Sequence, residues 1–126
     1  MNILRSKLCT AVGLRSLSPE DPEYKGHYGG NTFLRDSAYH QGTVWSWLLG
    51  PYIEAGMKTE GESFRTEAVD MIAQFANHLN EGCIGSVSEI FDGDAPHHPR
   101  GCVAQAWGVA EILRVIKVYS LLTVDG

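Results

Sequence analysis

The segment from Val103 to Leu122 limits the choice of fold most. Val103, Ala106, Trp107, Ala110, Leu113, Ile116, Val118, Leu121 and Leu122 make it apolar almost all the way round a helix drawn over 102–122. A helix apolar on every side is normally buried on several sides. The rest of the chain offers little to bury it. A second helix is predicted over about 43–57, where Val44, Leu48, Leu49 and Tyr52 share a face behind a Thr43 cap, and Pro51 should kink it near Gly50. A third is predicted over 62–80. Thr59 and Glu62 have capping-box spacing, and Phe64, Ala68, Met71, Ile72, Phe75, Ala76 and Leu79 form one stripe that ends at Asn80 and Gly82. Residues 1–42, broken by Pro19, Pro22, Gly26, Gly29 and Gly30, read as mostly loop with a short strand or turn near Ala11–Leu17. The other two helices and a loop cannot easily cover the last helix on every side. An all-α unit lacking a partner, in cis or by self-association, is the expectation.

Composition narrows the partners. At 126 residues and 44% hydrophobic, the chain can bury a core and is not disordered. A formal charge of −5 argues against a nucleic-acid or anionic-membrane partner. No apolar run approaches the roughly 20 residues of a membrane helix. Arg5, Lys7 and Arg15 interrupt the N-terminal apolar stretch, unlike a signal peptide, so the chain reads as cytoplasmic. Cys9, Cys83 and Cys102 have no CxxC spacing and read as free thiols rather than a disulfide or zinc framework.

Chemistry concentrates in two places. Gly85–Ala110 (GSVSEIFDGDAPHHPRGCVAQAWGVA) is a polar, Gly/Pro-punctuated loop feeding a helix, a common way to build a site on a rigid scaffold. Paired carboxyl groups can serve as general acid and general base, and Asp36, Glu89, Asp92 and Asp94 are the acids available in polar segments. Glu89, between Ser88 and the apolar pair Ile90–Phe91, has the surroundings that suit a general acid or base. Asp92 and Asp94 flank Gly93 as turn residues would. An Asp/His cluster (Asp92, Asp94, His97, His98) could in principle hold a cation, but adjacent histidines diverge, so no metal or cofactor is expected. The second place is Arg35–Trp47. Tyr39, Trp45 and Trp47 could face sugar C–H surfaces while His40 and Gln41 bond hydroxyls; burial of the tryptophans in a core is the competing reading. Trp107 reads as core or the floor of a pocket. No GxSxG, Cys–His context or phosphate-binding glycine fingerprint is present.

Three blocks carry a family resemblance. Gly13–Gly30 (GLRSLSPEDPEYKGHYGG), Arg35–Ala55 (RDSAYHQGTVWSWLLGPYIEA) and Ser88–Arg114 (SEIFDGDAPHHPRGCVAQAWGVAEILR) resemble, in order and spacing, the C-terminal part of the amylo-α-1,6-glucosidase domain of glycogen-debranching enzymes. The resemblance implies a partial (α/α)6 toroid, with residues 1–126 a single C-terminal fragment of the domain. It implies inverting hydrolysis of branch-stub glucose on an α-glucan such as glycogen or limit dextrin. Glu89 then matches the general base, and Tyr39, His40, Gln41, Trp45, Trp47, His97 and Arg100 match substrate-binding positions. The general acid matches an aspartate upstream of anything in this chain, so the chain alone is expected to be inactive. Ser46 stands where relatives often carry proline. The rival readings are a trehalase-like or glucoamylase-like toroidal glycosidase, a non-catalytic glucan-binding or oligomerisation module, and an unrelated helical interaction protein.

Overall fold

The computed structural model describes residues 1–122; residues 123–126 of the expected single unit lie outside it. About half the chain is helical, but the chain is not all-α. A five-stranded antiparallel sheet, its strands neighbouring in sequence order, runs through the middle: β1 (Cys9–Thr10), β2 (Gly13–Arg15), β3 (Val44–Trp45), β4 (Ile90–Phe91) and β5 (Pro99–Arg100). Each strand is only two or three residues long. That is too short to print the period-two alternation by which a strand is read from sequence.

The helices are α1 (Asn2–Lys7), α2 (Thr32–Ala38), α3 (Leu49–Glu60), α4 (Arg65–Ala76) and α5 (Ala106–Tyr119). The N-terminal region is therefore less irregular than its composition suggests. Asn31 caps α2 by accepting from the Leu34 N–H at 3.0 Å. Arg5 of α1 reaches Glu67 of α4 at 2.9 Å and Glu60 of α3 at 2.9 Å, holding a helix too short to persist alone.

The helix expected from residue 43 starts later. Val44 and Trp45 pair with Phe91 and Ile90, a 3-10 turn covers Ser46–Leu48, and α3 begins at Leu49. Pro51 falls in the first turn of α3, where a missing N–H costs little, and α3 runs on unbroken. The Thr59–Glu62 capping box does not form. Thr59 lies inside α3 with its hydroxyl on the Ala55 carbonyl at 2.8 Å, and Gly61, at φ 62°, makes the turn. The α4 stripe packs inward as far as Phe75. A 3-10 turn over Asn77–Asn80 then tightens the winding to three residues per turn, which buries His78 and leaves Leu79 outside.

The core lies between α3, α4 and α5, with Leu49, Ile53, Phe64, Ile72, Phe75 and Val115 among its buried members. Helix α5 approaches closely through glycine: a Cβ at Gly108 would sit 2.6 Å from Ser46 Oγ. Helix α5 is not buried on several sides, however. Gly108, Ile112 and Val115 face the core, whereas Trp107 is 50% exposed and Leu113 and Val118 are each 60% exposed. Among the described residues, no helix is long and apolar enough to cross a membrane.

Gly13 marks a tight point in the sheet. Its φ is 141°, and a Cβ there would lie 2.3 Å from the Trp45 carbonyl oxygen. Gly13→Ala should destabilise the chain by roughly 2–3 kcal/mol through backbone strain and collision with β3. Urea unfolding checks this; an unchanged midpoint contradicts it.

Candidate active site

Glu89 stands at the entry to β4 and is locked to the start of the segment leading into α5. Its N–H donates to the Cys102 carbonyl at 2.9 Å, and the Cys102 N–H returns a bond to Glu89 Oε2 at 2.8 Å. Its other carboxylate oxygen accepts the Tyr39 hydroxyl. A Cβ at Gly101 would lie 2.5 Å from Oε2, so only glycine leaves room over the carboxylate, and Gly101 adopts φ 66°. The apolar surround expected from Ser88 and Ile90 belongs to the backbone positions: both flanking side chains are buried, while the carboxylate meets hydrogen-bond donors. Burial, then the Glu89 hydrogen bond and charge, push the Tyr39 phenol up to about 12, so it stays a donor at any physiological pH.

Tyr39 also ties Glu89 to the aromatic residues. Its ring lies edge-on to Trp45 at 4.9 Å and to His40 at 4.8 Å between centroids, and Tyr28 packs at 5.8 Å. Its carbonyl accepts from the Thr43 hydroxyl at 2.6 Å and from Trp45 Nε1 at 3.3 Å. His40 stacks on Trp45 at 5.2 Å with planes 5° apart, and Trp47 stacks on Trp107 at 4.2 Å. These four rings, with Ser16 and Leu48, line an open, mostly apolar cleft of about 370 Å³. Trp45 is buried at its edge and Trp47 half-buried. Trp107 is thus a cleft wall rather than core. Gln41 stands apart from the cleft lining, with its carbonyl accepting the Lys25 N–H at 2.5 Å.

His97 and Arg100 gather instead around Asp92, which is not a plain turn residue. Asp92 is 4% exposed. It accepts from Arg100 Nη2 at 2.8 Å and Nε at 3.1 Å, from the Tyr28 N–H at 2.8 Å, and faces His27 Nδ1 at 3.3 Å. His97, at φ 60°, donates from Nδ1 to the Asp92 carbonyl at 2.9 Å. This network staples the Tyr24–Gly30 loop to β4 and β5. Asp94 accepts the Tyr24 hydroxyl at 2.9 Å, and Asp36 is exposed on α2. The sequence reading took Asp92 only for a candidate acid or turn residue, and the buried His78, whose Nε2 accepts the Ser88 N–H at 3.0 Å, escaped it. Nothing in the local pattern separates either from a surface residue. Among the described residues, no three His, Cys, Asp or Glu side chains are grouped to hold a metal ion.

A carboxylate held in place by donors is thus joined through one tyrosine to a tryptophan-walled cleft. The profile of the amylo-alpha-1,6-glucosidase family matches residues 1–114, and the chain belongs to that family.

Burial alone would raise the Asp92 carboxyl, but the Arg100 guanidinium, the Tyr28 N–H and nearby positive charge together hold it below its ordinary value. Its stabilising contribution is therefore complete above about pH 4 and is lost as pH falls through the depressed folded value. Asp92→Asn should cost about 1–2 kcal/mol at neutral pH, below the usual cost of breaking a buried pair because Arg100 is partly solvated. It should also flatten the acid limb of stability against pH. Urea unfolding at about pH 7 and about pH 3 checks this; a variant that loses stability as steeply as the parent contradicts it.

Proposed function

We propose that this chain supplies the general-base side of an inverting α-1,6-glucosidase site acting on branch-stub glucose of an α-glucan such as glycogen or limit dextrin. The supporting observation is the placement of Glu89, with one oxygen on Tyr39 and the other on the Cys102 N–H, one residue away from an aromatic cleft. In this reading Glu89 takes a proton from the water that attacks the anomeric carbon. His40, Trp45 and Trp47 face the sugar, and Trp107 extends the wall they form. His97 and Arg100 act at one remove, by ordering the loops around Asp92. Inversion needs a second carboxyl about 6.5–9.5 Å away to protonate the leaving oxygen. Asp36, Asp92 and Asp94 are each exposed or occupied elsewhere, so that acid comes from another part of a complete (α/α)6 toroid.

The exposed apolar row on α5 fits the same reading: it is the face that the rest of the domain, or a second copy, would cover. A native mass above that of the monomer is expected at high concentration. A clean monomer in sedimentation equilibrium would count against self-association.

General acid catalysis is worth about 10²–10⁴-fold. The purified chain should therefore release no measurable glucose from a branched limit dextrin while retaining glucan affinity that falls in His40→Ala and Trp47→Ala. Glucose release abolished by Glu89→Gln would overturn the claim that the acid lies outside the chain. The alternative of a non-catalytic glucan-binding module draws on the cleft alone, and gains if binding persists while the complete domain also shows no turnover.

A further inference from the structure

We infer that His78 is a positioning residue for Glu89, an inference that rests on the general-base reading above. His78 lies in the 3-10 turn that ends α4, far from the cleft in sequence and only 2% exposed. Its ring is wedged edge-on against Phe91 at 4.6 Å and near Phe75 at 5.9 Å, which fixes its plane. Nε2 accepts the buried Ser88 N–H at 3.0 Å. That bond requires the tautomer with hydrogen on Nδ1, and Nδ1 faces Glu81 Oε2 at 3.3 Å.

The group it holds is the N–H of the residue before Glu89, in the Val87–Ser88 peptide. On the other side of Ser88, the carbonyl accepts the Ser46 hydroxyl at 3.1 Å, and the next N–H, that of Glu89, is bonded to the Cys102 carbonyl. Three successive backbone groups are thus fixed by three different elements: α4's terminal turn, the turn before α3, and the segment before α5. The His78 bond, together with the Gln105 N–H on the Val87 carbonyl at 2.8 Å, anchors the chain arriving from the irregular Glu81–Ser86 stretch. Removing the acceptor leaves a buried N–H without a partner, and the backbone relieves that by turning the Ser88 peptide. Such a turn moves the Glu89 carboxylate away from Tyr39 and the Cys102 N–H.

The test is heteronuclear NMR on the whole chain. In the parent, a scalar coupling across the hydrogen bond between His78 Nε2 and the Ser88 nitrogen should be visible at neutral pH. His78→Phe keeps an aromatic ring between Phe75 and Phe91 but has no acceptor. It should shift the Glu89 Cδ resonance and speed Ser88 amide exchange about tenfold. His78→Gln, whose Oε1 can replace Nε2, should restore both. Met71→Ala, a core truncation in α4, should leave the Glu89 resonance at its parent value. An absent coupling in the parent overturns the inference without any variant. So does an unmoved Glu89 resonance in a folded His78→Phe, or an equal movement in Met71→Ala. Failure of the general-base reading would appear elsewhere, as hydrolysis that survives Glu89→Gln.

Discussion

The pairing of β3 with β4 is the contact on which the site depends. Val44 faces Phe91 and Trp45 faces Ile90, and between those two ladder positions the chain leaves the sheet to build α3 and α4 and then returns. Without this pairing, the Tyr39–Trp47 segment and the Ser88–Arg100 segment would have no fixed relation. With it, the Tyr39 hydroxyl reaches Glu89 and the Ser46 hydroxyl reaches the Ser88 carbonyl. Two ladder steps are weak by themselves. What holds them is the packing of the α3–α4 excursion, which buries Ile53, Phe64, Ile72 and Phe75 and so brings the two strands back to the same place.

The same arrangement explains why α5 packs on one face only. Gly108 lets it press against Ser46, and Gly50 opens α3 to Glu111, so its inner face is spent on the turn and helix that follow β3. Arg114 fastens it further, reaching Glu54 of α3 at 2.7 Å. On the outward row Leu113 and Val118 are exposed, and Trp107, stacked on Trp47 by one face, is half exposed. A fully buried side chain of this size is worth about 1.5–3 kcal/mol over an exposed one. Leaving three of them half exposed or more, on a helix that also walls the cleft, forgoes much of that gain.

How much of this can be read in the residues varies with the length of the pattern. The α4 stripe is legible because Phe64, Ala68, Met71, Ile72 and Phe75 repeat over several turns, and it fails where the winding changes, at His78 and Leu79. The strands are illegible because two residues carry no period. The long polar segments looked unstructured because their order comes from single side chains reaching across the chain: Asp92 to Tyr28 and Arg100, Arg5 to Glu67. Such ties depend on tertiary placement and leave no local signature. Glu89 was singled out by its surroundings in the sequence and by family resemblance, yet the neighbours that matter to it, Tyr39 and Cys102, are distant in sequence and polar rather than apolar.

Tyr39 carries the consequence of that placement. One side chain supplies the donor to Glu89, the edge for Trp45 and the contact for His40, while its carbonyl holds Thr43 and the Trp45 indole. Its hydroxyl cannot be relaxed by ionising, since burial and the carboxylate keep it protonated far above neutral pH. A ligand that wedges against His40 and Trp45 must therefore press on a ring whose only polar tip is bonded to the carboxylate. Occupancy of the cleft and orientation of Glu89 are coupled by a single rigid group with two rotatable bonds. Such coupling is reciprocal: whatever a ligand in the cleft does to the orientation of Glu89, a change at Glu89 does to the affinity of the cleft.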